Sequence, residues 1–71
     1  MFTVKAARVN AGLSVKEAAE KLGITEDTLY RYENGSSSPK IGVAIKMAEV
    51  YGRSIDEIDF SVQSSSVKTN Q

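Results

Sequence analysis

The chain has no cysteine and no histidine among its 71 residues. That excludes a disulfide framework, a thiolate nucleophile, an imidazole acid or base, and a zinc site made from the usual ligands. It also lacks a long hydrophobic run: the longest apolar stretch, Ile41 to Ile45, includes a glycine and stops at Lys46, far short of the ~20 residues a membrane span needs. No excess charge of either sign is present, since 9 Lys and Arg stand against 9 Asp and Glu, unlike a polybasic coat protein or an acidic solvating tail. Proline occurs once, at Pro39. No signal-peptide pattern opens the chain, which reads as a soluble, intracellular protein. Its length suits one compact domain, with no room for a ligand-sensing or cleavage domain. Catalysis would be left to carboxylates and tyrosines on a small bundle without a deep pocket, so no enzyme activity, cofactor or metal is expected.

The zero total conceals an uneven distribution. Residues 1–16 carry Lys5, Arg8 and Lys16 with no acid, whereas residues 17–35 hold Glu17, Glu20, Glu26, Asp27 and Glu33 against only Lys21 and Arg31. Residues 36–53 are again net basic, and 54–60 again acidic. Charge-driven binding therefore has to come from local placement.

Periodicity predicts five short helical segments and no strand. Thr3 caps the first, on which Val4, Ala7, Arg8 and Ala11 share a stripe up to Gly12. Ser14 and Glu17 form a capping box for the second, whose inward residues are Val15, Ala18, Ala19 and Leu22, with Gly23 as its stop. Thr25 opens the third, at about 25–34, with Leu29 and Tyr32 inward and Glu26, Asp27, Tyr30 and Arg31 outward; Asn34-Gly35 ends it. After the Ser36–Pro39 loop, Ile41, Ala44, Ile45, Ala48 and Tyr51 repeat at helical spacing as far as Gly52. Ser54 and Glu57 repeat the capping box before a last turn with Ile55 and Ile58. Residues 61–71 are mostly Ser, Gln, Thr, Asn and Lys, too polar to offset the entropy of ordering them, and read as a flexible tail behind a domain over 1–60.

The joint between the second and third segments carries the most information. Two helices linked by about four residues must cross steeply, and only a small side chain at the crossing lets their axes approach. Ala19 supplies that side chain, Gly23 supplies positive φ at the turn, and Ile24 plugs the turn into the core. These constraints describe a helix-turn-helix.

At these residues the chain resembles the Cro/CI-type (XRE) helix-turn-helix regulators of bacteria and their phages. The resemblance spans roughly residues 4–58, through Leu13-Ser14, Glu17 to Ile24, Tyr32 to Gly35, Ser38-Pro39 and Ala48 to Gly52. It implies an all-α, five-helix bundle of the lambda-repressor-like kind, whose third helix enters the DNA major groove and which binds a pseudo-palindromic operator as a homodimer in the cytoplasm of a bacterial or phage-infected cell. By the same resemblance, Glu26, Asp27, Tyr30 and Arg31 are base-reading residues, and Ser14, Thr25, Asn34, Ser36, Ser37, Ser38 and Lys40 lie near phosphates. It also sets Arg8 opposite Glu33, where two charges on inward stripes need each other. Ile55, Ile58 and Phe60 are the expected dimer contacts.

Blander roles stay open at several of these positions. Glu26 and Asp27 also suit the helix dipole, and Tyr30 and Arg31 also suit a solvated surface. Val15 stands where the family very often has a phosphate-binding glutamine, which leaves that contact to the helix N-terminus. The acidic pair at the front of a reading helix is unusual beside a polyanion and keeps a second use open: a protein-binding module on the same fold, antirepressor or antitoxin-like.

Overall fold

In a computed structural model the described residues are 1–61. The expectation of a flexible tail falls, beyond Ser61, outside them. The element order is β1 (Phe2–Thr3), α1 (Val4–Asn10), α2 (Val15–Leu22), α3 (Glu26–Glu33), α4 (Ile41–Tyr51), a 3₁₀ turn (Ile55–Glu57) and β2 (Ile58–Asp59).

Side chains that satisfy free backbone amides open the first three helices. Thr3 Oγ1 accepts from the Ala6 amide at 3.0 Å. Ser14 Oγ accepts from the Glu17 amide at 3.1 Å while Glu17 Oε1 accepts from the Ser14 amide at 2.9 Å. The bond from the Ser14 amide is the main reason the Glu17 carboxyl sits below its usual range. Thr25 Oγ1 accepts from the Thr28 amide at 3.1 Å. Each bond meets a donor that the helix itself leaves unpaired.

The core draws on all four helices and β2: Val4 and Ala7, Ala18, Ala19 and Leu22, Leu29, Met47, Ala48 and Tyr51, and Ile58. Leu29 and Met47 are its largest fully buried side chains. Within this arrangement α2 packs against both α3 and α4.

Three sequence expectations are corrected. The helix count is four, because the fifth segment is a 3₁₀ turn of three residues. Ser54 donates its amide to Glu57 Oε1 at 2.9 Å, but the chain straightens at Ile58, whose φ of −113° and ψ of 131° are extended. The reason is the second correction: Ile58 and Asp59 pair in parallel with Phe2 and Thr3, joining the two ends of the domain. A two-residue strand carries no alternation for a periodicity to detect.

The third correction concerns α4. Ala44, Met47, Ala48 and Tyr51 face the core, while Ile41 is 70% exposed and Ile45 46% exposed. The expected stripe 41/44/45/48/51 and the observed 44/47/48/51 both satisfy helical spacing and share Ala44, Ala48 and Tyr51. The structure takes the second, with Met47 fully buried where Ile45 was expected. Among the described residues, no helix is long and apolar enough to cross a membrane.

Candidate nucleic-acid interface

At the joint, Gly23 has φ 72° and ψ 30°, and the amide of Ile24 reaches back to the Ala19 carbonyl at 3.0 Å. A Cβ on Gly23 would meet nothing within 4 Å. Glycine is therefore required here by its left-handed conformation and not by lack of space. The short connection that results holds α3 against α2 with Leu29 buried and with Glu26, Asp27, Tyr30 and Arg31 exposed together on its outer face.

Beneath α3 lies an ion pair. Arg8 Nε donates to Glu33 Oε2 at 2.6 Å and Arg8 Nη2 donates to Glu33 Oε1 at 3.2 Å, with the two side chains 9% and 5% exposed. The third arm, Nη1, donates to the Leu13 carbonyl at 2.8 Å. One guanidinium thus ties α1, the α1–α2 loop and the last residue of α3 together. The hydrogen bonds to Glu33 raise the Arg8 pKa above an already high value, against the opposing effect of burial. Close to this pair, burial and then the Glu33 charge push the Tyr51 phenol up to about 12. Its hydroxyl is buried with no hydrogen-bond partner among the described residues.

The ion pair floors an open cleft of about 340 Å³, lined also by Lys5, Val15, Tyr30 and Asn34. The cleft brings α1, the start of α2 and the end of α3 to one place at the edge of the exposed α3 face. Lys5 was absent from the sequence-level candidates. Its position, one residue past inward Val4 and three before Arg8, is the signal that marks it as a neighbour of that pair.

Hydrogen bonds sort the expected phosphate-side residues by which still have a proton to donate. Ser14 Oγ accepts from Glu17, which leaves its own hydroxyl proton free. The Asn34 side-chain oxygen accepts from both the amide and the hydroxyl of Ser36, at 3.0 and 2.7 Å, which turns the Asn34 amino group outward. Ser36 has accordingly spent its hydroxyl proton. Ser38 has done the same, donating to the Phe60 carbonyl at 2.7 Å, and Thr25 shares its hydroxyl with Thr28 at 2.9 Å. Ser37 Oγ and Lys40 Nζ have no partner among the described residues. The free donors are therefore Ser14, Asn34, Ser37, Lys40 and Lys5, together with the unpaired amides at the start of α2. Of the expected dimer contacts, Ile55 is exposed and Phe60 half-buried, but Ile58 is 4% exposed inside the core. Ile58 has no surface to offer a second copy, because strand pairing with Phe2 turned it inward.

This geometry has counterparts among known proteins. A helix-turn-helix family model matches residues 4–58. The cryptic phage CTXphi transcriptional repressor RstR of Vibrio cholerae is 37% identical over 51 residues, covering 72% of this chain and 46% of its own length. The HTH-type transcriptional regulator ImmR of Bacillus subtilis is 40% identical over 53 residues, 75% of this chain and 42% of its own length. A protein of Pyrobaculum aerophilum named as an HTH-type transcriptional regulatory protein is 38% identical over 52 residues, 73% of this chain and 21% of its own length. This chain thus spans less than half the length of each of these relatives. No solved structure gives a significant match. Because the family match runs from the first residue of α1 to the first residue of β2 and takes in all four helices, the chain belongs to the helix-turn-helix family.

Proposed function

We propose that residues 1–60 form a sequence-specific DNA-binding domain that regulates transcription, as a Cro-like repressor does. Two copies bind a pseudo-palindromic operator in the bacterial or phage-infected cytoplasm. The observation that carries this reading is the cleft, which gathers Lys5, the start of α2 and Asn34 beside Tyr30 on the exposed face of α3. Donors in that position grip backbone phosphates while the face between them meets base edges, the division of labour that DNA recognition requires. The similarity to a phage repressor and to a further transcriptional regulator supports the same role. Glu26, Asp27, Tyr30 and Arg31 are the base-reading residues. Ser14, Asn34, Ser37 and Lys40 hold phosphates, and Lys5 joins them. Ile55 and Phe60 are the dimer contacts. Nothing in this reading assigns a reaction or a cofactor.

The test is selection from a random duplex pool at a salt concentration of about 0.15 M. The expected product is an inverted repeat with half-site centres about one helical turn, ~34 Å, apart. A pool without an enriched sequence would contradict the reading and assign the acidic front of α3 to a basic protein partner.

A further inference from the structure

The exposed face of α3 holds one cation, and that cation is already held. Arg31 Nε donates to Asp27 Oδ2 at 3.1 Å, one helical turn back. The two terminal amines of Arg31 have no partner among the described residues. In water such a pair adds little, because the side chains are 63% and 75% exposed. Its consequence is geometric. A guanidinium offers two edges for a paired contact: one containing Nε, the other formed by the two terminal amines. Asp27 occupies the Nε position and leaves the terminal edge unpaired on an exposed side chain.

Only one base presents two acceptors to that edge in the major groove. Guanine offers O6 and N7 side by side, adenine sets an amino group beside N7, cytosine offers an amino group, and thymine a single oxygen beside a methyl. Building on the DNA-reading role proposed above, we propose that Arg31 reads a guanine end-on through its two terminal amines, and that Asp27 is the positioning residue that fixes the plane of the guanidinium. Excluding water from the groove strengthens both the Asp27–Arg31 bond and the Arg31–guanine bonds. It also accounts for a carboxylate facing a polyanion: Asp27 gives up general affinity and contributes discrimination.

The experiment compares wild type with Arg31→Ala, Asp27→Ala and Asp27→Asn by selection from the same random duplex pool, followed by titration of each protein against duplexes carrying the four bases at each half-site position. Far-UV circular dichroism checks that each variant is folded. Wild type is expected to enrich guanine at one position of each half-site. Arg31→Ala lowers the guanine preference there by about 5- to 150-fold. Asp27→Ala lowers it at that same position by about 1.4- to 5-fold while general DNA affinity rises. Asp27→Asn, whose amide oxygen still accepts from Nε, keeps more of the preference than Asp27→Ala. Loss of the guanine preference in Arg31→Ala but not in Asp27→Ala would overturn the positioning role and leave DNA reading by α3 standing. An enriched site whose preferences no variant changes would remove α3 as the reading element. A wild-type pool with no enrichment would remove the DNA reading itself.

Discussion

The Arg8–Glu33 pair is the contact on which the placement of α3 most depends, and its energy follows from its burial. Both side chains are under a tenth exposed, and all three nitrogens of the guanidinium are engaged, two on Glu33 and one on the Leu13 carbonyl. Removing one member of such a pair leaves a charge in the core without its partner, which costs about 3–5 kcal/mol. A domain of about 60 residues has only ~3–9 kcal/mol of stability in total. Arg8→Met should therefore lose about a third of the stability or more, with the loss read from urea unfolding followed by far-UV circular dichroism. Glu33→Gln keeps one carbonyl oxygen for Arg8 and should lose less, about 1–3 kcal/mol. Arg8→Met combined with Glu33→Leu removes both charges and fills the space with apolar atoms, so it should cost less than the sum of the single changes by about 1–3 kcal/mol. Single costs below about 1 kcal/mol, additive to within ~0.5 kcal/mol, would refute the reasoning.

Tyr51 predicts an alkaline limb: its phenol, pushed up to about 12 by burial, contributes stability that is complete below the ordinary 10.0 and is lost as pH rises through about 12. Tyr51→Phe should abolish that limb in a pH series of unfolding midpoints. It should also keep or raise the midpoint at neutral pH, because the lost hydroxyl was buried without a partner; a clear drop at neutral pH would contradict this. Lys5→Ala should weaken binding to all duplexes alike and reduce the slope of log affinity against log salt by about 1, whereas an unchanged slope would place Lys5 away from phosphate. Gly23→Ala should cost about 1–2 kcal/mol in urea unfolding, from the φ of 72° alone, and a neutral result would mean that the joint relaxes at no cost.

The parts of the fold legible in the sequence were those governed by local chemistry. Ser14 with Glu17, Thr3 and Thr25 cap because hydroxyl and carboxylate reach the first free amides, and Gly23 and Gly52 end helices with φ of 72° and 70°. The division of α3 into buried Leu29 and exposed Glu26, Asp27, Tyr30 and Arg31 follows from a single period on a short helix. What escaped depends on contacts between distant segments. Pairing of Phe2 with Ile58 is a long-range event between two-residue strands, and it converts an expected surface residue into core. The choice of Met47 over Ile45 on α4 rests on which stripe faces the other helices, and both stripes read alike. Ser38 looks like any loop serine until the Phe60 carbonyl is found 2.7 Å from its hydroxyl.

The central claim is that α3 reads base edges in the major groove. Its most direct measurement is the affinity of wild type for its selected duplex with each purine of a half-site replaced in turn by its 7-deaza analogue, which removes an acceptor from the major groove and leaves the minor groove unchanged. At least one purine should show a loss of about 5-fold or more, and Arg31→Ala should show none at that purine. Uniform affinity across all the analogues, with wild type still selecting its site, would contradict major-groove reading by α3.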